Sequence, residues 1–83
     1  YQIEIVFSNI SDKNTFESLL DFLNKNLVVK ELSIKKFVTN TLTIEIESYG
    51  QVDQLLSSLL FYQNIDDIYF DRESNVIFSR LGT

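Results

Sequence analysis

Residues 28–47 read VVKELSIKKFVTNTLTIEIE, and this stretch decides the fold predicted for the chain. Apolar and polar residues alternate in it twice, which is the period of a β-strand with one buried face. Thr39 and Asn40 separate the two alternating runs and suit a tight turn. The stretch therefore predicts an antiparallel hairpin, whose inward side chains are Leu32, Ile34, Leu42, Ile44 and Ile46.

A strand and a helix are predicted on the N-terminal side of this hairpin. Ile3, Ile5 and Phe7 alternate with polar or smaller neighbours, as in a strand. Apolar residues then recur at helical spacing, which predicts a helix from about residue 12 to about residue 26, with Ser11 or Asp12 as its N-cap. The apolar stripe of this helix consists of Phe16, Leu19, Leu20, Leu23 and Leu27.

A second helix and two strands are predicted on the C-terminal side. Residues 48–51 have the spacing of a capping box, and an apolar stripe from Val52 to Leu60 follows. Residues around Ile68 and Phe70 form a strand, residues 72–75 can turn, and residues 76–80 form a final strand. The leucines expected between helices and sheet are Leu20, Leu23, Leu56 and Leu59.

The order strand, helix, strand, strand, helix, strand predicts an α+β fold, a ferredoxin-like βαββαβ two-layer sandwich. Its antiparallel sheet has the order 4-1-3-2, with both helices on one face and an extra C-terminal strand expected outside strand four. The other face should carry a polar set without an apolar patch. The 83 residues are interpreted as one ferredoxin-like domain, residues 1–83, excised from a larger protein, because the chain lacks Met.

The composition argues against catalysis, cofactors and metal binding. The chain contains no His and no Cys, so a general base or a thiolate ligand of the usual kind is missing. Asp71, Glu73 and Asn75 have the spacing that opens a calcium loop, but Val76 stands where such a loop needs Gly. We interpret these residues as a hairpin turn, and we expect a protein that is not an enzyme.

The net charge of -5 bears on the partners. It disfavours nucleic acid, since no basic stripe offsets the repulsion between the chain and phosphates. No apolar run approaches the roughly 18 residues of a spanning helix, so direct membrane insertion by this segment is not expected. A protein partner or a second copy of the chain is the expected partner.

At fold level the chain resembles small ferredoxin-like modules of bacterial envelope and secretion assembly proteins, such as periplasmic domains of secretion-platform and pilus-assembly proteins. The resemblance is carried by the strand at residues 3–7, the helix at residues 16–27, the hairpin, and the helix at residues 52–60. It implies a domain that oligomerises or docks onto neighbours, in the periplasm or cytoplasm of a bacterium.

Two function hypotheses follow. The first is a non-catalytic protein-protein interaction or assembly module. The alternative is a small-ligand-binding regulatory module, with a metabolite bound at a dimer interface between strand one and helix one. The candidate interaction residues are Phe61, Val76, Ile77 and Phe78.

Two readings of these residues stay open. Phe61 either turns into the core, which we expect because buried Phe is the commoner case, or anchors a partner. Residues 76–78 are apolar in succession, so self-association is expected to use the final strand as the sheet edge. Strand two, the opposite edge, carries Lys30, Glu31, Lys35 and Lys36, and such charges discourage another chain from pairing there. Alternatively, Ile77 is covered by residues 81–83.

Overall fold

A computed structural model of the chain describes residues 1–82. Its strands are β1 (Gln2–Ser8), β2 (Val29–Val38), β3 (Thr41–Ser48), β4 (Ile65–Asp71) and β5 (Val76–Leu81), and its helices are α1 (Lys13–Lys25) and α2 (Val52–Leu59). Each predicted element exists within a few residues of its predicted bounds. Among the described residues, no helix is both long enough and apolar enough to cross a bilayer.

The five strands form one mixed sheet in the order β2-β3-β1-β5-β4. β1 pairs antiparallel with β3 but parallel with β5, whereas the β2-β3 and β4-β5 pairs are antiparallel. The α+β class is confirmed, but the fully antiparallel sheet is wrong, and the strand order is not the plain ferredoxin-like order 4-1-3-2 that the sequence predicts. The final strand is also misplaced in the prediction, because β5 lies between β1 and β4 and β4 forms the edge.

β5 pairs along both of its edges and buries one of its faces. Ile77 and Leu81 are fully buried against the helices, and Ile77 pairs with Ile5 on β1 and with Phe70 on β4. β4 carries Asp66, Asp67 and Asp71, and charged side chains are common on natural edge strands. Of the paired strands β4 and β5, the more apolar one, β5, therefore lies inside the sheet.

The core lies between the sheet and the two helices, as predicted. Its fully buried side chains come from alternate positions of the inner strands, from one stripe on each helix and from Ile10 in the β1-α1 connection. Those of the strands and helices are Ile3, Ile5, Phe7, Leu42, Ile44, Ile46, Ile77, Leu81, Leu19, Leu23, Leu55 and Leu59. The burial of Leu23 and Leu59 is confirmed. Leu20 and Leu56 are only half-buried, because Leu19 and Leu55 occupy the centres of the helix stripes.

The N-termini of the two helices are capped in different ways. Asp12 caps α1, and its Oδ1 accepts a hydrogen bond of 2.7 Å from the backbone N–H of Thr15. The capping box predicted at residues 48–51 is displaced by three residues. Ser48 belongs to β3, and Oε1 of Gln54 accepts a hydrogen bond of 2.9 Å from the backbone N–H of Gln51, the N-cap of α2.

The turn of the β2-β3 hairpin is the predicted one. Thr39 and Asn40 have φ angles of 50° and 59°, which gives the two-residue turn that matches the twist of paired strands. The turn joins β2 to β3, and the other side of β3 pairs with β1, so β2 lies at one edge of the sheet and β4 at the other.

Candidate interaction surfaces

Phe61 lies on the surface, with 82% of its side chain exposed. α2 ends at Leu59, and the next turn donates its backbone N–H groups back to the helix. Tyr62 occupies the inward position, where it is 8% exposed and its hydroxyl donates a 3.1 Å hydrogen bond to Ser18. The prediction that Phe61 turns into the core is therefore wrong, because the neighbouring Tyr62 fills that place.

Phe61 stands at the rim of a groove between α1 and α2, which we call the helix groove. Its volume is about 440 Å³, and it is lined by Ser18, Asp21, Phe22, Lys25, Asn26, Ser58, Phe61 and Tyr62. The rings of Phe22 and Tyr62 are in contact, with centroids 4.9 Å apart. A 2.9 Å hydrogen bond from Asn26 Nδ2 to Ser58 Oγ links the two helices beside it. The groove is accordingly a surface feature with aromatic walls.

The other candidate residues lie in β5, and the structure separates them. Ile77 is fully buried, Val76 is half-buried, and Phe78 is 44% exposed on the face away from the helices. None of the three lies at a sheet edge, so the expected edge role of β5 is wrong. The alternative expectation was that residues 81–83 cover Ile77. The structure describes residues 81 and 82, and Leu81 pairs with Ile65 on β4. Thr83 lies outside the described residues.

The helix-free face carries an apolar strip that the polar prediction missed. Phe78 lies beside Val6 on β1 and opposite Tyr69 on β4, which is 63% exposed. We call these three residues the open-face strip. The alternation of β5 could have revealed it, since Phe78 must face away from the helices once Ile77 faces them.

Two lysines of β2 lie at register shifts and form ion pairs with carboxylates of the helix-free face, which we call the open face. The shifts fall at Lys30 and Lys35. Nζ of Lys30 lies 3.5 Å from Glu47, and Nζ of Lys35 lies 2.9 Å from Oε1 of Glu4 and 3.9 Å from Glu45. The hydrogen bond to Glu4 and its charge raise the pKa of Lys35 above its usual value. Glu4 and Glu45 are direct cross-strand partners, so Lys35 offsets their repulsion.

The helix-facing side of β2 is poorly covered. Ile34 is predicted to face inward, yet it is 50% exposed, and Phe37 on the same side is 45% exposed. α1 reaches this edge mainly through Phe16, whose ring stacks on that of Phe37 with centroids 4.9 Å apart. We define the β2 edge as the unpaired backbone side of Val29–Val38 together with Ile34 and Phe37. This edge combines free hydrogen-bonding groups with apolar surface.

The segment that resembles the start of a calcium loop forms a closed turn. Asp71 accepts hydrogen bonds from the backbone N–H of Glu73 and the hydroxyl of Ser74. Asn75 has a φ of 59°, and its side chain bonds to Gln2 and Tyr1 on the neighbouring strand. Over residues 1–82, no group of three or more acidic side chains is arranged to hold a metal ion.

Polar residues line a shallow depression of about 710 Å³ where β1 runs toward α1. Asn9 lies here with a φ of 66°, and its Nδ2 donates a 2.7 Å hydrogen bond to the carbonyl of Leu81. Arg80 forms an ion pair with Asp66 at the same place. Asn9, Arg80 and Asp66 of the depression thus already bond to the chain itself.

The comparisons with known proteins add no relative. Neither the protein-family models nor the curated proteins match the sequence, and no solved structure matches its fold. The function of these surfaces is therefore inferred from their geometry alone.

Proposed function

We propose that this domain is a non-catalytic protein-protein interaction or assembly module of a larger protein. The observation that supports the proposal is the β2 edge, where unpaired backbone groups and the half-exposed side chains of Ile34 and Phe37 coincide. An edge strand presents a row of free N–H and C=O groups that another chain can pair with. Apolar side chains beside that row would be buried in the same step, which adds affinity to the backbone pairing.

The other exposed surfaces fit the same proposal. Leu60 and Phe61 are adjacent, 64% and 82% exposed, and aromatic side chains are common anchors of protein interfaces. The resemblance to bacterial envelope assembly modules would place such contacts between neighbouring subunits.

Sedimentation velocity of the 83-residue chain tests the proposal. An assembly module is expected to sediment faster as its concentration rises from about 10 µM to about 1 mM, a range that covers weak association. Ile34→Lys should reduce this change, because a charge would be buried in the contact. A matched control is Leu27→Lys, since Leu27 is 93% exposed outside the β2 edge. A wild-type chain that sediments identically at all concentrations would contradict self-assembly as its function.

The alternative is the small-ligand-binding regulatory module. The observation that favours it is the depression at the end of β1, because a space of about 710 Å³ opens there beside Ser8 and Asn9, although no residue of α1 lines it. Thermal-shift screening against amino acids and nucleotides distinguishes the two proposals. A ligand that binds the folded state raises the melting temperature in proportion to the logarithm of its concentration. Such a shift, from a chain that does not associate when the ligand is absent, would support the alternative and contradict the assembly proposal.

A further inference from the structure

We infer that the partner of the β2 edge is the β2 edge of a second copy of this chain, paired antiparallel about a twofold axis at Ser33. The inference rests on the proposed assembly function and specifies its geometry. Two β2 strands would then join two five-stranded sheets into one continuous sheet. An interface of this kind uses the same surface on both copies and closes at the dimer.

The side-chain directions of β2 repeat symmetrically about Ser33. The helix-facing positions of β2 pair with the alternate residues Leu42, Ile44, Ile46 and Ser48 of β3, and they are Val29, Leu32, Ile34 and Phe37. Lys30 and Lys35 lie at the register shifts, and Ser33 faces the open side. A one-residue error in register would set helix-facing side chains against open-face ones. A twofold axis at Ser33 avoids this error along the whole strand.

This arrangement pairs the apolar positions. Leu32 would lie opposite the partner's Ile34, and Val29 opposite the partner's Phe37. Ile34 and Phe37 are about half exposed in the single chain, so a second copy would cover the surface that α1 leaves open. Residues opposite each other in an antiparallel pair have Cβ atoms about 4.5–5.5 Å apart, close enough for contact.

The charges of β2 are partly complementary in the same register. Glu31 would lie opposite the partner's Lys35, twice in the symmetric dimer, and each Lys35 also bonds to Glu4 of its own chain. Lys30 would lie opposite the partner's Lys36, but Glu47 lies 3.5 Å from Lys30 and offsets this repulsion. β4 lacks such complementarity, because pairing two β4 edges would gather Asp66, Asp67 and Asp71 of both copies. A β2-to-β4 contact would instead add copies in an open series.

Because the chain contains no Cys, a single introduced Cys is its only thiol, and disulfide formation between two copies tests the pairing directly. Ser33 is exposed, and Ser33→Cys would place two thiols opposite each other on the twofold axis, within the Cα spacing that a disulfide accepts. Ser57→Cys, on the exposed side of α2, is the matched control for random collision, and Tyr69→Cys marks the β4 edge. Each variant is oxidised mildly at the same concentration, and the fraction of covalent dimer is followed in time.

The expected result is covalent dimer from Ser33→Cys several-fold faster than from Ser57→Cys, with the advantage lost when Ile34→Lys is added. Equal rates for Ser33→Cys and Ser57→Cys would overturn the inference. Should wild-type chains associate in sedimentation despite equal rates, assembly would stand and only the β2 pairing would fail. A mixed dimer of Ser33→Cys with Tyr69→Cys that forms faster than the Ser33→Cys homodimer would overturn it in favour of the open series.

Discussion

The ring of Phe37 on β2 stacks on the ring of Phe16 on α1, with centroids 4.9 Å apart and planes 7° apart. This contact packs the edge strand β2 against α1, while Ile34 on the same strand is half exposed. It also keeps Phe37 in place on the β2 edge, where the proposed partner strand would meet it.

We expect the two rings to stabilise the fold cooperatively. Aromatic pairs contribute about 0.5–1.5 kcal/mol beyond the burial of their surface. A double-mutant cycle of Phe16→Leu and Phe37→Leu, measured by urea unfolding at low protein concentration, should show a coupling free energy in this range. If the two single effects add to within about 0.3 kcal/mol, the stacking contributes nothing specific.

Neighbouring leucines of α2 should respond differently to truncation. Leu55 is fully buried, so Leu55→Ala should lower the free energy of unfolding by about 2–5 kcal/mol. Leu56 is half-buried, and Leu56→Ala should cost about 1–2 kcal/mol. Thermal unfolding of both variants checks the rotation of the helix. A larger loss for Leu56→Ala would contradict the packing described.

Thr39 is expected to be a site where substitution stabilises the chain. It has a φ of 50°, and a left-handed backbone is unfavourable for a β-branched residue by about 1–2 kcal/mol. Thr39→Asn should raise the free energy of unfolding by about 0.5–1 kcal/mol, because Asn is preferred in this turn. Thr41→Asn, in the adjoining strand, should not stabilise. A melting temperature for Thr39→Asn at or below the wild-type value would contradict the turn geometry.

The cap of α1 makes stability depend on pH in the acid range. The backbone N–H of Thr15 donates to Asp12, and this hydrogen bond to the ionised form lowers the pKa of Asp12 below its usual value of 3.8. The cap therefore contributes fully above pH 3.8, and its contribution is lost as the pH falls through the lowered pKa.

Asp12→Ala should consequently melt below the wild type at neutral pH, and the difference should shrink well below pH 3.8. Asp12→Asn, which retains an oxygen acceptor but does not titrate, serves as the control. Melting curves over this range check the prediction. A difference between wild type and Asp12→Ala that is the same at every pH would contradict it.

Sequence reasoning was most successful where local pattern decides structure. The alternation of residues 2–7, the helical stripe around Leu23 and the turn at Thr39 each depend on neighbours within a few residues, and all were predicted correctly. The place of β5 depends on which strands it meets far along the chain. Three apolar residues in succession at 76–78 can indicate an interior strand as well as an open edge, and the acidic residues of β4 were the available sign of the true edge.

The surface was predicted less well than the core. Phe61 and Tyr62 compete for one inward position, and the spacing of apolar residues does not decide between adjacent rings. The exposure of Ile34, which was predicted to face inward, was missed for a related reason, because alternation shows which face of a strand is apolar but not how far a helix extends across it.

Amide hydrogen exchange of β2 at two protein concentrations tests the central claim most directly. In a monomer, the amides of β2 that do not bond to β3 face water and exchange rapidly. We predict that at about 1 mM these amides become protected relative to about 10 µM, while the free edge of β4 exchanges equally at both concentrations. Exchange from β2 that is independent of concentration, or protection that appears on β4 instead, would contradict assembly through paired β2 edges.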